Sequence, residues 1–421
     1  MGIPFYVASL LRTHKHIERK CGNAPLEVDV LGIDFNCFLH KYLRAENPVG
    51  SIVMALHTLL TKTVHAKRVL IAFDGLVPVA KMVQQRYRRM RKPEGEPFGF
   101  DKHQISPGTP FMRQLAKTIR FLHPELEVSD TLDPGEGEHK IFTWARSIPA
   151  DERKSICIYG LDADLVLIAV AQRQLGDITI LRETDEGFST LSITALAKVL
   201  PLDPEIYVKM SLMCFGNDFL PNLAMFSLRE DGYGRAIYYA TRNDAPKDER
   251  KILIKRAKET ERRMVAPDGH ALEARVGVHL MDGVLDWEPV CTAFWKTYEW
   301  VYQYFTTSVV PDWEWVYPYP EAPLLETLDA YDRPTEFTWD APHPTLTVED
   351  QLRFILPEAS LKTAGLDPVR LDELYDEATE SRHPWMRRYA WECDPWVSLP
   401  IGRLTSVTEI RLPSFEAPQL G

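Results

Sequence analysis

The segment GEGEHK, at positions 135–140, places Glu136 and Glu138 on either side of Gly137, directly after a proline turn. One acidic residue suits the start of a helix because it complements the helix dipole, but the second needs another role. The two glutamates project in different directions from a helix start, and glycine lets the backbone approach a neighbouring group closely. We interpret the segment as a source of two metal ligands. For this motif alone, an ordinary helix start is the alternative.

Further acidic residues follow apolar runs elsewhere in the chain. Asp34 in GIDFN, Asp74 in AFDG, and Asp162 and Asp164 in GLDADL each follow a strand-like run, and Asp218 in GNDFLP follows an apolar helical run. Taken singly, such a residue is more often a turn or helix cap. However, the carboxyl ends of parallel strands lie along one edge of a sheet, where ligands bind. We therefore expect these side chains to converge with the two glutamates.

Seven converging carboxylates require neutralising cations, since like charges in one site repel each other. Ligands that are all carboxylates favour Mg²⁺ or Mn²⁺, and two such ions about 3.5–4 Å apart stabilise the attacking and leaving oxygens of a phosphodiester. The predicted catalytic and metal-binding residues are Asp34, Asp74, Glu136, Glu138, Asp162, Asp164 and Asp218.

A basic segment, AKMVQQRYRRMRK at 80–92, begins soon after Asp74 and contains no acidic residue. On a helix its i, i+4, i+7 and i+8 positions share one face. Such a cationic face could bind a terminal phosphate or an RNA backbone, although a solvated helix face is the alternative. The predicted phosphate-binding residues are Lys81, Gln85, Arg88 and Arg89.

The first half of the chain alternates strand-like and helical runs, which predicts an α/β fold with a mainly parallel sheet flanked by helices. The strands are expected at 26–35, 67–75, within 155–171 and at 177–184, and a buried helix is expected within 203–221. We predict a catalytic domain at 1–241, a charged helical linker at 242–272 and a second, mostly helical, aromatic-rich region at 273–421.

The composition is that of an ordinary globular protein of 421 residues with a net charge of −11, and no apolar run is long enough to span a membrane. The six cysteines are scattered without a CxxC pair, so a zinc site is not expected. Free thiols favour a reducing compartment, cytoplasmic or nuclear. A monomer is expected, and an acidic net charge does not exclude a nucleic-acid partner, which needs only a local basic face.

The motifs MGIP, GIDFNCFLH, FDGLVPVAKMVQQRYRR, ISPGTPFM, PGEGEHK, GLDADL and FGNDFLP occur in this order. In these motifs the chain resembles the 5′→3′ exoribonuclease (XRN) family, strongly to about residue 225 and loosely beyond it. The resemblance implies a catalytic core like that of the PIN and flap nucleases. It also implies a Mg²⁺-dependent enzyme that removes nucleotides from single-stranded RNA with a 5′-monophosphate. The seven acids and the four phosphate-binding residues match the family's motifs.

The resemblance further implies that His40 stacks on a base together with a tryptophan of the second region. We expect Trp300 in that role, with Trp313 or Trp315 as substitutes; core packing is the alternative for His40 and for Trp300. The chain departs from the family in its short segment between the basic helix and ISPGT, in YPYPEAP, and in the absence of the large C-terminal domains. So compact a form would suit a virus or a minimal genome. The competing functions are a flap-type DNA nuclease and a non-catalytic RNA-binding protein.

Overall fold

A computed structural model of the protein describes residues 2–90, 101–184, 186–241, 249–269, 272, 285–319, 321–334, 336–356 and 358–366. Within these residues, seven strands form one sheet. In chain order they are β1 (Glu18–Lys20), β2 (Leu26–Asp34), β3 (Val64–Ala72), β4 (Glu127–Ser129), β5 (Ser155–Tyr159), β6 (Asp177–Thr184) and β7 (Gly187–Ser192).

The spatial order of the strands is β1-β7-β6-β5-β2-β3-β4. The five strands from β6 to β4 are parallel to one another, and only the β6–β7 and β7–β1 pairs are antiparallel. This sheet confirms the predicted α/β class, and each of the four predicted strands is present. Strands β1 and β4, which have three residues each, and strand β7 were not predicted from the sequence.

The helices cover both faces of the sheet. They are α1 (Tyr6–Thr13), α2 (Phe35–Leu39), α3 (Pro48–Thr58), α4 (Val79–Met90), α5 (Pro110–Leu122), α6 (Gly137–Ser147), α7 (Asp164–Ala171), α8 (Ile193–Val199), α9 (Pro204–Phe215), α10 (Gly232–Ala240), α11 (Glu249–Val265), α12 (Trp287–Thr307), α13 (Leu325–Ala330), α14 (Val348–Ile355) and α15 (Glu358–Thr363). Proline opens α3, α5 and α9, where its missing N–H costs no hydrogen bond.

Successive residues of β2 point to opposite faces of the sheet, as the pleat requires. Val30 packs on one face with residues of α1, α6, α7, α9 and α12. Leu31 and Ile33 pack on the other face with residues of α2, α3 and α5. Because both faces of the central strands are buried, the sheet presents its carboxyl edge, rather than a face, to a ligand.

The two regions of the chain share the larger of these cores. Helix α12 contributes Phe294, Trp300 and Tyr304 to the cluster that contains the sheet residues. Helix α11, in the segment predicted as a charged linker, buries Leu253 and Ile254 against the same cluster. The domain limits at 241 and 272 stay a prediction. The fold itself brings α12 to the acidic edge of the sheet.

Candidate active site

The strand register brings the first acidic residues together. Asp34, the last residue of β2, is paired with Ala72 at the end of β3, and Ile33 is paired with Tyr159 at the end of β5. Asp74 therefore lies just beyond the same edge, where the backbone N–H of Asp74 donates to Asn36 Oδ1 at 3.1 Å. The loop that carries Asp162 and Asp164 also leaves the sheet at this edge.

A pair of backbone hydrogen bonds joins the loop after β3 to the loop before α6. The N–H of Gly75 donates to the carbonyl of Gly135 at 2.9 Å, and the N–H of Gly135 donates to the carbonyl of Leu76 at 2.7 Å. Lys140 reinforces the junction, because its Nζ donates to the carbonyl of Phe73 at 2.8 Å. The junction holds Asp74 close to the two glutamates of α6.

Gly137 is the point of closest approach between these elements. Its N–H donates to Asp74 Oδ1 at 2.8 Å. A Cβ at this position would lie 3.0 Å from the carbonyl oxygen of Ala72 and 3.1 Å from Asp34 Oδ1. The close backbone approach expected of this glycine is therefore present, and it lets Glu136 and Glu138 flank the position where Asp34 and Asp74 meet.

Asp218 reaches the cluster from a tight turn at the end of α9. Gly216 adopts a φ of 65°, and a Cβ there would lie 2.4 Å from the backbone nitrogen of Asn222. Asn217 Oδ1 accepts hydrogen bonds from the N–H groups of Phe219 at 2.8 Å and Leu220 at 3.0 Å. This turn fixes the direction in which the Asp218 side chain leaves the helix.

Lys81 of α4 lies between Glu136 and Asp218. Its Nζ is 2.5 Å from Glu136 Oε2 and 2.8 Å from Asp218 Oδ2. Burial acts to lower the pKa of Lys81, but the charges of Asp218 and Glu136 outweigh it and hold that pKa well above its usual value. The predicted phosphate-binding helix and the predicted metal ligands thus meet in one site.

The carboxylates act on one another electrostatically. Burial and repulsion from Asp74 and Asp162 raise the pKa of Asp34 well above its usual value. Burial and repulsion from Asp164 do the same to the pKa of Glu138. Burial, with repulsion from Asp162 and from the acid of the α9 turn, raises the pKa of Asp164 to about 7. The acids on the strand loops and on α6 therefore lie within reach of one another's charge.

This donor set suits a hard divalent cation. Five of the seven carboxylates are buried, and a buried group of like charges needs a cation nearby. The Lys81 ammonium stands among them as one positive charge. No three His, Cys, Asp or Glu side chains of the described residues already have the arrangement of a metal site. All-oxygen ligands fit Mg²⁺ or Mn²⁺, and the assignment of the seven acids as its ligands stays a prediction.

The other predicted phosphate-binding residues lie further along α4. Gln85 is buried, and its Oε1 has no hydrogen-bond partner among the residues that the structure describes. Arg89 donates through Nε to Ser106 Oγ at 3.0 Å and through a terminal nitrogen to the carbonyl of Gln85 at 3.3 Å. Ser106 belongs to the ISPGTPFM motif, whose contact with this helix was not predicted from the sequence. The side chain of Arg88 lies outside the described residues.

The structure contradicts the base-stacking role predicted for Trp300. Its ring is 1% exposed, its Nε1 donates to the carbonyl of Asp312 at 2.8 Å, and its nearest rings include those of Phe219 and Tyr304. The large apolar indole is used for core packing, so neither face is available to a base. His40 is exposed at the end of α2, where burial of part of the imidazole lowers its pKa although Asp162 opposes this.

The two substitutes for Trp300 are half-buried. The carbonyl of Trp313 accepts from the N–H of Val79 at 2.9 Å, two residues before Lys81. Trp315 donates through Nε1 to Thr297 Oγ1 at 3.0 Å. Trp313 is thus joined to the first turn of the basic helix.

Two residues that hold the site were not predicted from the sequence. Tyr304 donates through its hydroxyl to Glu136 Oε1 at 3.0 Å. Gln351 of α14 accepts from the N–H of Val77 at 2.8 Å and donates to the carbonyl of Gly75 at 3.3 Å. No spacing in the sequence links these residues to the acids. Their positions in aromatic-rich and amphipathic helices indicate only burial.

Residues 1–97 and 91–184 match the sequence model of the XRN 5′-3′ exonuclease N-terminus. The N-terminal region of this chain is therefore similar to that of the XRN exonucleases. The matched residues include the acids on the strand loops and on α6, together with helix α4. Asp218 and helix α12 lie beyond them.

Curated proteins named 5′-3′ exoribonucleases are also similar to this chain. A 5′-3′ exoribonuclease 2 of Eremothecium gossypii is 27% identical over 311 residues, which cover 51% of this chain and 33% of that protein. A 5′-3′ exoribonuclease 1 of Saccharomyces cerevisiae is 29% identical over 282 residues, which cover 49% of this chain and 18% of that protein. The chain therefore matches a third or less of the length of these two XRN proteins.

Solved nuclease structures are also similar at low identity. The catalytic core of Rad2 in complex with DNA gives a TM-score of 0.42 with 17% identity, covering 87% of this chain and 98% of that one. Flap endonuclease-1 from Methanococcus jannaschii gives a TM-score of 0.35 with 11% identity, covering 56% of this chain and 80% of that one. Within the described residues, no helix is both long and apolar enough to cross a bilayer.

Proposed function

We propose that this protein belongs to the XRN family and is a 5′→3′ exoribonuclease that hydrolyses RNA with a 5′-monophosphate to nucleoside 5′-monophosphates, with two Mg²⁺ or Mn²⁺ ions. The observation that carries the proposal is the position of Lys81 between Glu136 and Asp218. Lys81 joins a helix rich in hydrogen-bond donors for a phosphate to a cluster of carboxylates. Phosphodiester hydrolysis needs both in one place, one to hold the substrate and the other to hold the cations.

Two bound cations would neutralise charge on the attacking and leaving oxygens of the scissile phosphate. The chain's own task is to hold the ligands and the substrate. Asp34 and Asp74 are fixed around Gly137, and Glu136 is fixed between Lys81 and Tyr304. These constraints orient the carboxylates before RNA binds, so that little reorganisation is needed during reaction.

Helix α4 supplies the recognition of the 5′ end. Lys81, Gln85 and Arg89 extend along the helix, with Arg88 beside them in sequence, and charge-assisted donors of this kind favour a compact terminal phosphate. A closed group of donors has no room for a triphosphate or a cap. A 5′-hydroxyl would leave the basic side chains of α4 without an anion to bind. The first nucleotide is then held in register over the carboxylates.

Stacking on the first base is assigned to His40 and, in place of Trp300, to Trp313. His40 is exposed beside the acidic edge. Trp313 is half-buried, and its carbonyl contacts the first residue of α4. Stacking on an aromatic ring contributes roughly 1–3 kcal/mol per base and tolerates any sequence. The enzyme should therefore degrade single-stranded RNA with little sequence preference.

The test is the initial rate of degradation of one RNA that carries a hydroxyl, monophosphate, triphosphate or capped 5′ end. The monophosphate should be degraded at least roughly tenfold faster than the others, which corresponds to about 1.4 kcal/mol. EDTA should abolish the activity. The Asp162→Ala, Asp164→Ala double variant should bind RNA, remain folded and release no nucleotides.

Matched single-stranded and flapped DNA substrates complete the experiment. Equal rates for the four RNA ends would reject the 5′-monophosphate specificity. Preferential cleavage of the DNA flap would assign the site to a flap nuclease. RNA binding without any cleavage in Mg²⁺ or Mn²⁺ would identify a non-catalytic RNA-binding protein.

A further inference from the structure

Helix α12 reaches the acidic cluster through the hydroxyl group of Tyr304. Tyr304 donates to Glu136 Oε1 at 3.0 Å, while Glu136 Oε2 lies 2.5 Å from Lys81 Nζ. Tyr304 and Glu136 are both buried. The two oxygens of this carboxylate are thus held separately, one by the neutral hydroxyl of Tyr304 and the other by the ammonium group of Lys81.

The ring of Tyr304 is fixed by residues of the site itself. It stacks on His139, with the ring centroids 3.7 Å apart and the planes within 17° of parallel. Trp300 and Phe219 contact it from other directions, at centroid distances of 5.2 and 6.0 Å. His139 follows Glu136 by three residues, and Phe219 follows Asp218 directly. Consequently the tyrosine hydroxyl cannot move independently of the segments that carry the acids.

We propose that Tyr304 is a positioning residue of the metal site, and that its hydroxyl orients Glu136 so that Oε2 is presented to a metal cation. A donor that holds one oxygen of a ligating carboxylate fixes the direction of the other oxygen. The residues behind metal ligands commonly change metal affinity or activity 10–100-fold when they are replaced. The inference rests on the proposed function, since it assumes that Glu136 binds a cation.

This role places part of the metal site outside the family-matched region. The match to the XRN N-terminus ends at residue 184, whereas Tyr304 lies in helix α12. A role in packing alone would require only the ring, because the contacts with His139, Trp300 and Phe219 are made by ring atoms. The positioning role requires the hydroxyl. The substitution Tyr304→Phe separates the two roles.

The test compares Tyr304→Phe with Tyr302→Phe in the full chain. Tyr302 is a matched control because it lies on the same helix and its hydroxyl also donates to a glutamate, Glu205, at 3.4 Å. Binding of Mn²⁺ is measured directly, from the paramagnetic resonance signal of the free ion, in the absence of RNA. Tyr304→Phe should weaken Mn²⁺ binding about tenfold and raise the Mn²⁺ concentration for half-maximal activity by a similar factor. Tyr302→Phe should leave Mn²⁺ binding unchanged, and Tyr304→Phe should leave the KM for RNA unchanged.

A double-mutant cycle shows whether the effect passes through Glu136. In a Glu136→Gln background, Tyr304→Phe should cause no further loss of Mn²⁺ affinity. An unchanged affinity in Tyr304→Phe, an equal loss in Tyr302→Phe, an additive loss in the double variant, or unfolding of Tyr304→Phe would each overturn the inference. Because Mn²⁺ binding is measured without RNA, a wild-type protein that binds Mn²⁺ but degrades no RNA would reject the proposed function and leave the Tyr304 result readable.

Discussion

Lys81 is the residue at which the acidic cluster meets the basic helix. Its side chain is 13% exposed, and the side chains of its two partners, Glu136 and Asp218, are each 5% exposed. Removing charges from water is costly, and a buried charge that loses its partner costs more than the pair. In the metal-free protein the lysine therefore acts as a counter-ion for the carboxylates. When cations neutralise the acids, the same ammonium can donate to a phosphate.

Trp300 provides a prediction about stability. Trp300→Ala should lower the free energy of unfolding by about 3–5 kcal/mol, because it leaves a cavity beside Phe219 and Tyr304. Trp313→Ala, at a half-buried position, should slow RNA degradation more than it lowers stability. Denaturant unfolding and degradation rates measure the two effects. A stable Trp300→Ala variant with uniformly slow degradation would restore Trp300 to the stacking role.

The positions of the acids were easier to predict from the sequence than those of the residues around them. A single carboxylate after a strand is more often a turn or helix cap, but several such positions in one chain indicate a shared site. Tryptophan and tyrosine pack in cores as well as on bases, so their type does not distinguish Trp300 from Trp313. Tyr304 could not be found from sequence, because its role depends on one hydrogen bond between residues 168 positions apart.

At the scale of elements, the site depends on two loops that behave as one unit. The loop after β3 and the loop before α6 exchange hydrogen bonds at Gly75 and Gly135, and Lys140 and Gln351 hold the junction from either side. Asp74 lies in the first loop, and Glu136 follows the second. Separation of the loops would therefore move ligands from two elements at once.

Gly75→Ala tests this junction. A Cβ at position 75 would lie 1.9 Å from the carbonyl oxygen of Asp133, so the loops must move apart. We expect a loss of about 1–3 kcal/mol of stability together with weaker Mn²⁺ binding. Gly22→Ala is the matched control, because a Cβ there meets nothing within 4 Å. Calorimetry and Mn²⁺ titration measure the changes; normal Mn²⁺ affinity in Gly75→Ala would show that the junction does not position the ligands.

The parallel strands were predictable because their apolar runs end in acids and turns. Strand β1 was not, since its three residues, Glu18, Arg19 and Lys20, are all charged and have no alternating pattern. The contacts of α12 and α14 with the site could not be predicted from the sequence either. Amphipathic helices show which face is buried but not which element covers it.

At the scale of the whole molecule, the balance of charge in the site makes metal binding sensitive to pH. Burial and repulsion raise the pKa values of Asp34, Glu138 and Asp164, the last to about 7. A raised acid pKa means that the folded chain holds protons that the unfolded chain releases. In the metal-free protein these acids therefore lower stability as the pH rises above the pKa of an unfolded carboxyl group, and for Asp164 this loss extends to about pH 7. Buried His139, whose pKa burial lowers well below its usual value, acts in the opposite sense below about pH 6.5.

The increase in melting temperature caused by Mg²⁺ should therefore grow as the pH rises from about 6 to 8. Cations bind the ionised carboxylates, so protons must leave Asp164 and its neighbours first. The contribution of His139 cancels when samples with Mg²⁺ and with EDTA are compared at the same pH. Asp164→Asn should flatten the dependence. A Mg²⁺ effect that is constant across this range would contradict the assignment of these acids as ligands.

The two edges of the sheet have a consequence for how copies of the molecule meet. Strand β1 at one edge is short and fully charged, and β4 at the other edge pairs only with Leu70–Ala72 of β3. The part of β3 that β4 does not cover includes His65, Lys67 and Arg68. Short strands and charged side chains at an edge oppose the addition of a strand from another chain. Copies of the molecule at high concentration would thus come close together without their sheets joining at these edges, so crowding need not lead to aggregation.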